Sequence, residues 1–126
     1  MPYQVVIQEN PDHIRVKVSG QRTRGQEVRD SIDALVQVVD VCQKKGITRI
    51  LMIWDIPGRL STMSAYDLAD SAPEWGWDRR LKLAIVHLYA ESLESNLFTE
   101  TVAVNRGFRV KMFDDEHEAR SWLLET

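Results

Sequence analysis

The fold is decided by the stretch Thr48-Arg49-Ile50-Leu51-Met52-Ile53-Trp54-Asp55-Ile56-Pro57-Gly58. It contains the densest apolar run of the chain, lies near the middle, and stops at an acid that is followed by Pro-Gly. An apolar run of this length is typical of a central strand of an α/β sheet, which is buried on both faces. The Pro-Gly pair predicts that a loop opens at the carboxyl end of this strand.

The size and composition of the chain predict one globular domain that spans residues 1–126. Hydrophobic residues make up 44% and charged residues 28%, which is far from the composition of disordered proteins. The formal net charge is -3, so the chain lacks the basic footprint that favours nucleic acid or an anionic membrane. Neither is therefore expected as a partner.

The sequence also shows neither the pattern of a secretory signal nor that of a membrane span. The first residues carry no basic region followed by a long apolar run, and no run approaches the ~18 apolar residues of a membrane span. We therefore expect a cytoplasmic protein that is not an integral membrane protein. Cys42 is the only cysteine, and the three histidines are scattered, so neither a metal site nor a cofactor is predicted.

Hydrophobic periodicity predicts the element order β-β-α-β-α-β-α-β-α. Strands are predicted over residues 3–8, 13–19, 48–55, 81–88 and 108–113, and helices over 26–45, 65–72 and 93–106, with a last helix after Asp115. The turn at residues 9–12 is too short for a crossover helix and predicts a hairpin. The later alternation predicts parallel strands, and hence an α/β fold with a mixed, mostly parallel sheet.

Several residues are typical of helix ends. Gly46 is expected to close the first helix, and Gly107 the third. Ser64 with Asp67, and Asp115 with Glu118, match capping boxes at the starts of the second and fourth helices. Ser92 is expected to cap the third helix, which should pack through a broad apolar side. That side comprises Leu93, Leu97, Phe98, Val102 and Val104.

The loop Gly20-Gln21-Arg22-Thr23-Arg24-Gly25 has the GxxxxG spacing of a phosphate-binding loop. That motif continues with Lys and Ser or Thr, which meet the phosphates and the magnesium ion, whereas this chain continues with Gln26 and Glu27. The segment therefore indicates a solvated loop with two arginines.

Three features of the chain carry a family resemblance. They are the element order, the central strand ending in Trp54-Asp55, and the closing segment Val110-Lys111-Met112-Phe113-Asp114-Asp115-Glu116-His117-Glu118-Ala119-Arg120-Ser121-Trp122-Leu123. On these features the chain resembles the STAS-like domains, and within them the SpoIIAA-like, or STAS/SEC14-type, group of small bacterial proteins. The resemblance implies a non-enzymatic regulatory or protein-binding module. In anti-sigma-factor antagonists of the wider family, a kinase phosphorylates a serine at the start of the helix after the central strand.

By position, Ser61, Thr62 or Ser64 corresponds to that serine, with Ser61 and Ser64 as the phosphorylation candidates. The antagonists place an Asp-Ser pair near this helix start, whereas Ile56 to Leu60 separate Asp55 from Ser61 here. A plain helix cap is the alternative role for Ser64.

Ligands of such sheets tend to lie outside the carboxyl ends of the parallel strands. The residues expected there, as a surface that binds an unknown protein partner, are Asp55, Arg59, Ser61, Thr62, Ser64, Tyr89 and Ser92, with Trp75 and Trp77 on a nearby loop. The SEC14-like side of the resemblance and the two tryptophans keep a second hypothesis open, a carrier of a small apolar or amphipathic ligand. An enzyme is the third, because Asp55 with Tyr89 or Glu91 in a closed pocket would support one. Whether the chain forms a homodimer stays open.

Overall fold

The computed structural model of the protein describes residues 3–125. The strands are β1 (Gln4–Glu9), β2 (Ile14–Ser19), β3 (Arg49–Asp55), β4 (Lys82–His87) and β5 (Arg109–Phe113). The helices are α1 (Glu27–Lys45), α2 (Thr62–Asp70), α3 (Leu93–Asn105) and α4 (Glu116–Leu123), and short 3-10 turns occupy Ala72–Trp75 and Ala90–Ser92. The predicted order of strands and α-helices is confirmed.

The strands form one mixed sheet in the order β1-β2-β3-β4-β5. β1 and β2 pair antiparallel as a hairpin, and each later neighbouring pair is parallel. The predicted α/β class with a mostly parallel sheet is therefore confirmed, and the apolar stretch that ends in Trp54-Asp55 forms the central strand.

The central position of β3 follows from its side chains, which are buried on both faces of the sheet. Ile50 and Met52 belong to the core between the sheet and the helices α1, α2 and α3. Leu51 and Ile53 point to the other face, where they join Ala119 and Leu123 of α4. Because successive residues of a strand point to opposite faces, a continuous apolar run is what a strand covered on both sides requires.

The parallel pairing brings the carboxyl ends of β2, β3 and β4 to one end of the sheet. Ser19 pairs with Asp55, and Trp54 pairs with His87, so the segments that follow these strands emerge side by side. α2 and α3 both begin at this end, and the start of α1 follows the segment that leaves β2. Residues far apart in the sequence are thus assembled at one edge.

The predicted ends of the helices are confirmed in part. Gly46 ends α1 with φ +68°, a left-handed conformation that glycine adopts without strain. Asp115 caps α4, since its carboxylate accepts a hydrogen bond from the backbone N–H of His117 over 3.2 Å. Both signals are local, which is why the sequence alone identifies them.

Two predicted serine caps are wrong. α2 begins at Thr62, not at Ala65, because Ser61 is its cap: the hydroxyl of Ser61 accepts a hydrogen bond from the backbone N–H of Ser64 over 3.1 Å. Ser92 occupies the cap position of α3 but is helical in backbone conformation, and its hydroxyl donates to the carbonyl of Tyr89 over 2.8 Å. Its side chain therefore stabilises the preceding turn and leaves the helix N–H groups uncapped.

The predicted packing side of α3 is also wrong in most of its members. Leu93, Leu97, Phe98 and Val104 are exposed, and only Val102 of that set is buried. The helix packs instead through Ser95, Val102 and Ala103. Small side chains on that face let α3 lie close to α2 and the sheet, and they leave the larger apolar residues in solvent.

Candidate functional site

The exits of β3 and β4 are joined by two hydrogen bonds. The hydroxyl of Tyr89 donates to Oδ1 of Asp55 over 2.7 Å. The backbone N–H of Gly58 donates to Oε1 of Glu91 over 2.8 Å. Lys17 of the neighbouring β2 lies 3.8 Å from Oδ2 of Asp55. The segments that precede α2 and α3 are therefore fixed relative to each other, and Asp55 is held by Tyr89 and Lys17 at the strand end.

The start of α2 presents polar side chains to solvent. Arg59, Ser61 and Thr62 are exposed, whereas Ser64 is partly buried. Of the candidate serines, Ser61 is thus both the exposed one and the helix cap. Ser92 is buried, so it lies behind this surface and does not form part of it.

Exposed apolar side chains also occur on the elements that begin at this end of the sheet. Met63 lies in the first turn of α2, Leu88 follows β4, and Leu93 begins α3, with Leu97 one turn further along the helix. We call this set the exit surface; it comprises Arg59, Ser61, Thr62, Met63, Leu88, Leu93 and Leu97. Most of the large apolar residues that are exposed among residues 3–125 lie on α2 or α3.

Trp75 and Trp77 do not belong to the exit surface. They lie between the end of α2 and the start of β4, which is the opposite end of the sheet. Their rings meet edge to face with centroids 6.0 Å apart, and the indole N–H of Trp75 donates to the hydroxyl of Ser71 over 3.0 Å. Trp77 is buried, and its indole N–H makes no hydrogen bond to the described residues. The expectation that both tryptophans lie near the strand exits is therefore wrong.

The two tryptophans line an apolar cavity of about 90 Å³ between the sheet and the helical layer. The sheet contributes Met52, Trp54, Leu83, Ile85, Val110 and Met112. The helices and loops contribute Leu35, Leu60, Leu68, Ala69, Ala72, Trp75, Trp77, Ala103 and Phe108. The polar members of the lining are Arg22, Asn96 and Thr99. The cavity thus runs along the sheet from the strand exits toward the start of β4.

Arg22 is the site residue that the sequence pattern did not identify. It was expected in a solvated loop, yet it is partly buried and lines the cavity. A Cβ placed on Gly58 would lie 3.5 Å from both Cδ and Nε of Arg22, so the side chain packs on the loop after β3. Its Nε and Nη1 atoms are buried, and the guanidinium lies beside the hydroxyl of Tyr3. No motif signals this arrangement, because the contacts depend on segments distant in the sequence.

The polar groups at the strand exits stand apart from the apolar cavity. Asp55 and Tyr89 contact each other but lie outside the residues that line the cavity. The hydrogen bond to Asp55 raises the pKa of Tyr89, which keeps the phenol protonated at neutral pH. Burial raises the pKa of the Cys42 thiol to about 11, so this group is not a nucleophile at neutral pH.

Within residues 3–125, no group of three His, Cys, Asp or Glu side chains is arranged to hold a metal ion. No helix in that range is long and apolar enough to cross a membrane.

Solved structures identify the fold. An anti-sigma factor antagonist from Mycobacterium paratuberculosis superposes with a TM-score of 0.63 at 11% identity, over 98% of this chain and 95% of that one. An uncharacterised protein of the DUF3478 family from Shewanella loihica PV-4, described as having a SpoIIAA-like fold, gives 0.55 at 20% identity, over 97% and 94%. The chain has the SpoIIAA-like fold. The resemblance inferred from the sequence is confirmed at this level.

No protein-family model matches the chain, and no curated protein matches it by sequence. The similarity to the two solved structures is one of architecture.

Proposed function

We propose that this protein is a non-enzymatic regulatory module that binds another protein through the exit surface. The observation that carries the proposal is the exposed apolar set at the strand exits and the starts of α2 and α3, which comprises Met63, Leu88, Leu93 and Leu97. Exposed apolar groups rimmed by polar residues are common at protein interfaces. The similar structure that is named as an anti-sigma factor antagonist supports a protein-binding role for this fold.

The hydrogen bonds between the two loops support binding at this surface. Because Tyr89 bonds to Asp55 and Glu91 bonds to Gly58, the apolar residues before and after these loops are held in place before a partner arrives. A preorganised surface loses less conformational entropy on binding than a mobile one does.

Ser61 is the residue at which we propose phosphorylation, with Ser64 second because it is partly buried. A phosphate at a helix N-terminus is favoured by the helix dipole and by free backbone N–H groups. The same charge would stand beside Met63, where it opposes the burial of apolar surface against a partner. Phosphorylation at Ser61 would then release the partner.

A matched pair of substitutions tests the surface. Leu93 is 41% exposed on α3, and Val36 is 40% exposed on α1, so Leu93→Glu and Val36→Glu add the same charge at equal exposure on different faces. In affinity capture from the native cell with quantitative mass spectrometry, Leu93→Glu should lose its partner about tenfold or more, and Val36→Glu should retain it.

Equal capture by the two variants would contradict the exit surface as the interface. The same pair in analytical ultracentrifugation tests whether the partner is a second copy of the chain. In that case wild type and Val36→Glu would sediment as dimers, and Leu93→Glu as a monomer.

A second candidate function is binding of a small apolar or amphipathic molecule, and the apolar cavity is the observation that favours it. Apolar residues and three tryptophans line the cavity, which suits a hydrophobic group. Native mass spectrometry of gently purified protein tests this function. A retained mass that is lost on mild denaturation is expected, and its absence together with no binding of added apolar molecules would reject the function.

A further inference from the structure

We propose that the protein partner docks a basic amphipathic helix along α3. The apolar face of that helix would cover the exposed apolar side of α3, and its lysine or arginine side chains would lie beside the acids at the start of α3. The proposal rests on the proposed function, since Leu93 and Leu97 belong to the exit surface, and it specifies the chemistry of the partner.

One side of α3 is apolar and uncovered. Leu93, Leu97 and Val104 are spaced by four and seven residues, so they lie on the same side of the helix, and all three are exposed. Glu100 lies on this side as well, and we call these four residues the α3 stripe. From its first to its last residue the stripe is about 16 Å long, so a partner helix of about three to four turns covers it.

The edge of the sheet beside the stripe favours a helix over a strand as the partner element. β5 is an edge strand, and Oε1 of Glu100 accepts a hydrogen bond from the backbone N–H of Met112 over 2.6 Å. A partner strand would need such N–H groups to extend the sheet. Because Glu100 takes up this one, strand addition is opposed here, whereas the apolar face of a helix fits the exposed side chains of the stripe.

The charges near the stripe favour a basic partner. α3 contains Glu94 and Glu100 but neither lysine nor arginine, and Glu94 is exposed in the first turn, next to the stripe. Asp114 and Asp115 follow β5 at the same end of the sheet, and both are exposed. Such a surface attracts cationic side chains and repels a nucleic acid or an anionic membrane.

Basic side chains on the adjoining elements leave this acidic region intact. At the carboxyl end of α3, Arg106 forms an ion pair with α2, and Arg79 donates to the backbone carbonyl of Arg106 over 3.0 Å. Lys111 of β5 lies over an aromatic ring on the face of the sheet that α4 covers. Arg59 lies two residues before Ser61, so the basic side chains of the partner are expected at α3 and not beside Ser61.

A pair of synthetic peptides tests the preference. Each forms an amphipathic helix of about 14 residues, about four turns, with leucine on one face. The flanking residues are lysine in one peptide and glutamate in the other. In fluorescence anisotropy with labelled peptides, the lysine peptide should bind about tenfold more tightly, and its affinity should fall as the salt concentration rises.

Substitutions locate the binding on α3. Glu94→Lys should weaken binding of the lysine peptide about fivefold or more. Glu74→Lys is the matched control, because Glu74 is also exposed in the first turn of a helical segment but lies at the opposite end of the sheet. Leu97→Ala should weaken binding as well, whereas Val36→Ala on α1 should not, since the partner's apolar face contacts the stripe.

Each outcome separates the chemistry of the partner from the surface. No binding of the lysine peptide, equal binding of the two peptides, or an equal effect of Glu94→Lys and Glu74→Lys overturns the basic helix. If Leu93→Glu still loses the captured partner and Val36→Glu retains it, the exit surface stands as an interface for a partner of different chemistry. If Glu94→Lys fails to fold, Glu94→Gln, which removes the charge without reversing it, should show a smaller loss in the same direction.

Discussion

The hydroxyl of Tyr89 donates a hydrogen bond over 2.7 Å to Oδ1 of Asp55, across the exits of two neighbouring parallel strands. Asp55 ends the apolar stretch that forms β3, and Tyr89 lies two residues beyond the end of β4. The contact therefore positions the loop before α2 against the loop before α3.

Replacing Tyr89 with Phe should lower the free energy of unfolding at pH 8, because it leaves Asp55 without this donor. Urea denaturation measures the change. In a double-mutant cycle, Asp55→Asn and Tyr89→Phe should be non-additive, since each removes the same contact. Additive effects would show that the two side chains do not depend on each other.

The same contact predicts a pH dependence at the alkaline end. The hydrogen bond to Asp55 raises the pKa of Tyr89 above its usual 10.0 in the folded state. A raised pKa means that the stabilisation is complete below pH ~10 and is lost as the pH rises through the folded pKa. The difference in stability between wild type and Tyr89→Phe should therefore shrink above pH ~10, and a constant difference would contradict it.

Ser61 and Ser64 should differ in their contribution to stability. Ser61→Ala removes the cap of α2 and should lower the free energy of unfolding by about 1 kcal/mol. Ser64→Ala is the matched control and should change it little, because the backbone N–H of Ser64, not its hydroxyl, makes the capping bond. Urea denaturation of the two variants measures this, and an equal loss in both would contradict the cap assignment.

Ser61→Asp should keep the stability that Ser61→Ala loses, because Asp is also a good helix cap and favours the helix dipole. This makes Ser61→Asp a suitable mimic of phosphorylation. Loss of partner capture in a variant whose unfolding curve matches wild type would then report the added charge. Retained capture would contradict the proposed switch.

The order of elements was predictable because it depends on local signals. The apolar run of β3 and the left-handed Gly46 can be read from a few adjacent residues. The exact cap of α2 was not predictable in this way, since Ser61, Thr62 and Ser64 are all of residue types that cap helices. The extended backbone at Ser61 decides it, and that conformation depends on how the loop leaves β3.

The candidate site was less predictable because it depends on packing between distant segments. α3 carries apolar residues around most of its circumference, so periodicity cannot tell that Ser95 and Ala103 face the core while Leu93 and Leu97 face solvent. Arg22 lies in a polar loop, and its side chain packs on the β3–α2 loop, a contact that no local pattern signals.

The ion pair between Arg15 of β2 and Glu116 of α4 joins this helix to the sheet. It predicts that the free energy of unfolding depends on pH in the acid range. Both guanidinium contacts are 3.0 Å, and they hold the pKa of Glu116 below its usual 4.5. A lowered pKa means that the pair stabilises the folded protein above pH ~4.5 and loses this effect as the pH falls through the folded pKa.

Since about a third of each side chain is exposed, Glu116→Gln should lower the free energy of unfolding by only about 0.5–1 kcal/mol at pH 7. Glu118→Gln is the control on the same helix, because Glu118 is exposed and should show no such loss. Urea denaturation at pH 7 and pH 3 should show the Glu116→Gln deficit shrinking at low pH, whereas an equal deficit at both would mean that packing, not charge, accounts for it.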